Sequence, residues 1–148
     1  MPNTPAMVLE AMSALSPNEH VSTEELQSVV AIFESFGKAE VVPESLMDAV
    51  VGVSGSSPAY VYMFIEAMAD AAVADGMPRA QAYEFAAQAV MGSAKLMLET
   101  GKHPGELKDM VTSPAGTTIE GVRVLEEKGF RGAVIDAVKA SVEKSENM

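Results

Sequence analysis

Two long segments of this sequence are helical in pattern and apolar around most of their circumference. The first opens at Pro58, carries Val61, Ile65, Met68 and Ala72 along one stripe, and closes at Gly76 with Pro78 beyond it. The second runs from Arg79 to Glu99 through Phe85, Ala89, Gly92 and Leu96, with little charge before Lys95, and Gly101 ends it. A helix that is hydrophobic all round must be buried. A domain of about 100 residues can hide one such helix but struggles with two. The Ala, Gly, Ser and Met content of the pair suits close helix–helix contact. The expectation is an obligate dimer whose interface completes the core.

Composition supports a mainly helical chain. Its 148 residues suffice for one compact domain, or a domain plus part of another, and 48% are hydrophobic, so a real core is expected. Aromatics are 5% and Trp is absent while Met numbers 11, a mixture that favours packed helices over sheets. The net charge of −11 disfavours nucleic acid and anionic membrane surfaces, both of which select Lys/Arg clusters. With no Cys there is neither a disulfide framework nor a thiolate metal site. The most apolar stretch is interrupted by Glu66 and Asp70, and the N-terminus lacks a secretion signal, so a cytoplasmic protein is expected.

The first forty-odd residues read differently. Met1-Pro2-Asn3-Thr4-Pro5 cannot start a helix cleanly. Val8–Leu15 suits a strand, and Ser22 with Glu25 forms a capping box ahead of Leu26, Val29, Val30 and Phe33 at helical spacing. Gly37 is expected to end that helix, and Glu40-Val41-Val42 to form a second strand closed by Pro43. From Glu44 onward the chain reads as helices. One contains Leu46, Met47, Ala49 and Val50 and stops between Gly52 and Gly55. Three more follow the long pair, near Pro104–Met110, Thr118–Lys128 and Phe130–Glu146.

Few constellations carry chemistry. Glu66 and Asp70 share a helix face, but no further ligands follow, so a solvated or Arg-paired face is expected. His20 and His103 lack partners at zinc spacing and read as turn residues; no metal site is expected. Ser54-Gly55-Ser56-Ser57-Pro58 matches no phosphate loop and reads as a place where another segment crosses. Val111-Thr112-Ser113-Pro114-Ala115-Gly116-Thr117-Thr118 is the most suggestive stretch. It sets hydroxyl and glycine residues at a helix start, where unpaired N–H groups and the helix dipole favour a carboxylate.

Taken together, Ser54–Tyr60, Gly76–Arg79, Lys95–Glu99 with His103-Pro104, Val111–Thr118, Gly121–Glu126 and Gly129–Arg131 resemble pyrroline-5-carboxylate reductase. Met1–Ala6 resembles the loop that ends the cofactor domain in that family. The resemblance implies reduction of the ring imine of 1-pyrroline-5-carboxylate to L-proline by hydride from NADPH or NADH, in proline biosynthesis. It also implies an interlocking all-helical dimerisation domain at residues 44–148, preceded at 1–43 by a short α/β remnant of a Rossmann-type domain. A homodimer is implied, and a larger ring of dimers beyond it. Carried over residue by residue, Ser113 and the N–H groups of Gly116 and Thr117 would hold the substrate carboxylate. Thr118 would hydrogen-bond the ring nitrogen as the catalytic residue, and Met1, Pro2, Asn3 and Glu44 would line the cofactor.

Departures accompany the resemblance. Ala115 stands where the family usually has Gly, at a methyl cost of about 1–2 kcal/mol if that position needs positive φ. Ser57 replaces a Gly, and Met110 an amide or acid. The Rossmann fingerprint is absent, so the chain reads as a fragment of a full reductase. A non-catalytic helical oligomerisation module derived from the family is the alternative.

Overall fold

The computed structural model describes all 148 residues. In chain order they form β1 (Ala11–Leu15), α1 (Thr23–Glu34), β2 (Gly37–Val41), α2 (Met47–Val50), α3 (Ser57–Ala74), α4 (Arg79–Thr100), α5 (Pro104–Met110), α6 (Thr117–Glu127) and α7 (Phe130–Glu146). The fold is mostly helical, with one small parallel sheet. It divides into two compact units, Met1–Tyr60 with Ile135–Met148, and Val61–Val134.

In the first unit β1 and β2 pair in parallel, from Ala11 opposite Gly37 to Leu15 opposite Val41, with α1 as the connection. The other edge of β1 is met by the N-terminal segment, where Pro2 and Ser13 form an antiparallel bridge. Lying between two neighbours, β1 buries its small residues, Ala11, Ser13 and Ala14. The capping box forms as read: the Ser22 hydroxyl accepts from the Glu25 amide, and the Glu25 carboxylate accepts from the Ser22 amide at 2.9 Å. Those Ser22 bonds hold the Glu25 carboxyl below its ordinary pKa.

The start of the first strand and the end of the first helix differ from the sequence reading. Val8 ends a 3-10 turn over Thr4–Val8, so the first strand starts only at Ala11. Leu9, in the left-handed region at φ 63, closes the turn and reverses the chain into β1. The first helix stops at Glu34, and Gly37 opens β2 instead. There its φ is 155 and an added Cβ would lie 2.2 Å from the Ala11 carbonyl oxygen, so no other residue fits. The helix beginning at Met47 passes through a π-wound turn over Val51–Gly55 and ends there, within the expected Gly52–Gly55 window. Gly52 is buried in this turn, and an added Cβ would sit 2.7 Å from Val142 Cγ2 and 3.1 Å from the Val138 carbonyl. The segment that crosses here, the last turns of α7, packs on Gly52, just before the Ser54–Pro58 stretch where a crossing was expected. Tyr60 secures it by hydrogen-bonding Ser141 at 2.5 Å, and Ser145 by donating to Asp48 at 2.6 Å.

In the second unit the glycine punctuation works as expected. Gly76, at φ 98, ends α3 with the paired bonds of a Schellman turn, Gly76 N–H to Val73 O and Met77 N–H to Ala72 O. Gly101, at φ 64, ends α4. Asp70 pairs with Arg79, whose guanidinium also lies 5.5 Å from the centre of the Tyr83 ring, and the Asp70 carboxylate raises the Arg79 pKa. That carboxylate is therefore Arg-paired, while Glu66 is solvated.

Within a single chain, α3 and α4 bury only alanines: Ala69, Ala82 and Ala86. Met63 is 69% exposed, Phe85 66%, and Tyr62 and Leu98 both 62%. The side chains with the most apolar surface therefore face outward.

Candidate functional site

The Ser113–Thr118 segment belongs to the second unit and links α5 to α6. Thr112 finishes α5, its hydroxyl donating to the carbonyls of Lys108 and Asp109 at 3.2 and 3.1 Å. The chain then turns through Ser113-Pro114-Ala115-Gly116, closed by the Gly116 N–H donating to the Ser113 carbonyl at 3.0 Å. Ala115 has φ 56. Proline in the second place and a left-handed third residue are the marks of a type II turn, whose third place favours Gly. An alanine there costs about 1 kcal/mol.

Gly116, with φ −82 and ψ 171, is the N-cap of α6 and supplies no capping side chain. The first amides of a helix have no intrahelical acceptor, so Thr117 and Thr118 present theirs outward with the positive end of the helix dipole behind them. Ser113 folds back over this opening. An added Cβ on Gly116 would lie 2.3 Å from Ser113 Oγ, so the glycine is what lets the hydroxyl approach. Ser113, Thr117 and Thr118 are exposed. The Gly116 amide is already committed to the turn, leaving the Thr117 and Thr118 amides and the hydroxyls of Ser113, Thr117 and Thr118 as the available donors. Chemically this is a small cluster of exposed neutral donors at a helix start.

Met1, Pro2 and Asn3 lie in the first unit. The Ala14 amide donates to the Met1 carbonyl at 3.1 Å, and Pro2 faces Ser13. Asn3 fastens two elements: its Oδ1 accepts from the Met12 amide at 2.9 Å and its Nδ2 donates to the Ser54 carbonyl at 3.0 Å. Both ends of its amide are thus used within the chain. Glu44 opens a 3-10 turn over Glu44–Leu46 and is exposed, with no bond to Met1, Pro2 or Asn3. No group of three or more acidic or His residues could hold a metal ion. No helix is long and apolar enough to cross a membrane.

The sequence reading missed two features. One is the bridge made by Asn3, for which the sequence holds no signal. The other is the N-cap of α5, where His103 Nδ1 accepts from the Gly105 amide at 3.1 Å. A signal existed for that one, since Pro104 in the first helical place marks the residue before it as the cap.

Residues 44–148 match the family described as pyrroline-5-carboxylate reductase dimerisation. The chain belongs to that family. Along its whole length it is 68% identical to the pyrroline-5-carboxylate reductase of Escherichia coli (strain K12), covering 55% of that protein. A solved pyrroline-5-carboxylate reductase from Coxiella burnetii superposes with a TM-score of 0.95 at 33% identity, over 99% of this chain and 55% of that one. The Plasmodium falciparum pyrroline carboxylate reductase, solved with NADP bound, superposes at 0.90 and 36% identity, over 98% and 59%. The chain therefore spans about half the length of the relatives it matches.

Proposed function

We propose that this chain is the substrate-binding and dimerisation part of a pyrroline-5-carboxylate reductase, acting in the cytoplasm. In the complete enzyme it serves the reduction of 1-pyrroline-5-carboxylate to L-proline. Residues 44–148 form the dimerisation domain, and residues 1–43 are the last part of the dinucleotide domain. The observation that carries the reading is the uncapped start of α6 with Ser113 folded over it. A ring carboxylate is the guest this set of neutral donors fits. In this account the Thr117 amide and Ser113 hold the carboxylate, and the Thr118 hydroxyl donates to the ring nitrogen. Fixing both ends of so small a ring presents one face of the imine for attack, which is the contribution of positioning.

NADPH or NADH supplies the hydride when bound. Met1, Pro2 and Asn3 fit one edge of it. With both ends of the Asn3 amide engaged, they contribute shape and backbone groups rather than that side chain. The sequence has no G-x-G-x-x-G, so most of the dinucleotide's contacts lie outside these residues.

A second copy is the partner that covers α3 and α4. Their outward apolar side chains are of the kind that obligate interfaces bury.

The site is tested by titrating the 15N-labelled chain with L-proline and with cyclopentane methanol, which lacks the carboxylate. L-Proline is expected to shift the Ser113, Thr117 and Thr118 amides while the alcohol leaves them in place. Shifts elsewhere, or none at saturation, would refute the assignment. In a complete reductase, Thr118→Ala is expected to remove most turnover.

A further inference from the structure

We propose that Glu66 receives the ammonium group of a lysine from a second copy of this chain, set between Tyr62 and Tyr83. The inference rests on the reading above that a second copy covers α3 and α4. Tyr62, Glu66 and Asp70 follow one another at one-turn spacing along α3 and so share one face. At the Asp70 end of that face the chain answers its own carboxylate. Arg79 pairs with Asp70, and its guanidinium lies 5.5 Å from the centre of the Tyr83 ring. One turn earlier the same parts recur without the cation. There Glu66 stands with Tyr62, Met63, Ile65 and Tyr83 around an open hollow of about 340 Å³. No cation of the chain pairs with the Glu66 carboxylate.

Charge complementarity decides what fills the hollow. Tyr62 and Met63 are exposed beside Glu66 within one chain, so a copy that covers them takes the carboxylate out of water as well. A carboxylate so removed is strongly destabilising unless a cation meets it. Tyrosine rings favour a cation in the same place, through the negative charge on their faces. The chain's own charges then say which cation. All three arginines are held already, Arg79 by Asp70, Arg123 by Glu120 and Glu127, and Arg131 by Glu126. Lys95, Lys102 and Lys108 are paired with Glu99, Glu106 and Asp109. Lys38, Lys128, Lys139 and Lys144 have no carboxylate partner, so the cation that a second copy brings is one of these lysines.

The experiment compares the unaltered chain with Glu66→Gln, which keeps the size of the side chain and removes its charge. Glu66 is exposed within one chain, so the substitution leaves the fold of that chain in place. In sedimentation equilibrium Glu66→Gln is expected to weaken self-association by about 10-fold and to reduce its dependence on salt. The partner is read from an equimolar mixture of unlabelled and 15N-labelled chain treated with a water-soluble carbodiimide, which condenses a carboxylate with an amine in contact with it. Mass spectrometry is expected to find Glu66 joined to one of the four lysines in pairs of mixed label, which only two copies produce. Glu66→Gln associating as tightly as the unaltered chain would overturn the proposal, and so would Glu66 links confined to pairs of a single label. A chain that stays monomeric would refute the second-copy reading and this proposal with it. A dimer indifferent to Glu66→Gln would refute this proposal alone, so the two failures are distinct.

Discussion

Residues 1–60 with 135–148 tie themselves together through hydrogen bonds between distant parts of the sequence, whereas residues 61–134 have no such hydrogen bond and span comparable distances through the Phe64–Phe130 ring contact. In the first unit Asn3 reaches Ser54, Tyr60 reaches Ser141, Asp48 reaches Ser145, and Gly52 admits the Val138–Val142 turn of α7. In the second, the charged pairs are exposed and mostly local, such as Arg123 with Glu120 and Glu127, and α3 and α4 bury nothing larger than alanine. Exposed pairs of that kind contribute little. The first unit is specified by its own contacts. The second leaves its larger apolar side chains outward.

The sharpest way to break this contrast is to charge the outward face of the second unit. Phe85 is 66% exposed within one chain, so in a monomer Phe85→Glu would be nearly silent. Buried at an interface, the same carboxylate is expected to weaken self-association by more than about 100-fold, equivalent to ~3 kcal/mol, as read by sedimentation equilibrium. Next in size come two glycines of the first unit. Gly37→Ala places a Cβ against the Ala11 backbone and should cost about 3 kcal/mol or more in chemical denaturation. Gly52→Ala meets Val142 first, a side chain that can give a little, and should cost about 1–3 kcal/mol. If both were tolerated, the tight contacts assigned to this unit would be wrong.

Much of this contrast was legible in the residues. The apolar circumference of α3 and α4 predicted helices that one small domain could not cover. Gly76, Gly101 and the Ser22–Glu25 box marked ends that the structure keeps. The turn of α6 was legible too, since Ser-Pro-Ala-Gly is a turn sequence by composition alone. What could not be read were features set by contacts between distant residues. The π-wound turn sets Gly52 against α7, and Gly37 is forced by the Ala11 backbone rather than by the helix before it. Nor does local sequence show that the Gly116 amide is used up by the Ser113 carbonyl.

Smaller effects sharpen the account. Ala115→Gly relieves a left-handed alanine but loosens the unfolded chain, so the net gain in stability should stay below about 1 kcal/mol. A loss instead of a gain would mean that the methyl packs usefully. Smallest is the capping box. The Glu25 carboxyl is held below its ordinary pKa by Ser22, so its stabilisation is present above the usual carboxylate range and disappears as pH falls through the folded-state value. Glu25→Gln should therefore flatten part of the acid limb of a stability-versus-pH curve and leave the neutral region nearly unchanged. An unaltered acid limb would show that the box does not form in solution.

The central claim is that α3 and α4 need a second copy, and the mass of the purified chain in solution tests it most directly. Sedimentation equilibrium at micromolar concentration is expected to give twice the single-chain mass of 15.5 kDa, with no monomer before unfolding begins. A stable monomer that unfolds cooperatively, with the α3 and α4 amides protected from exchange, would contradict it.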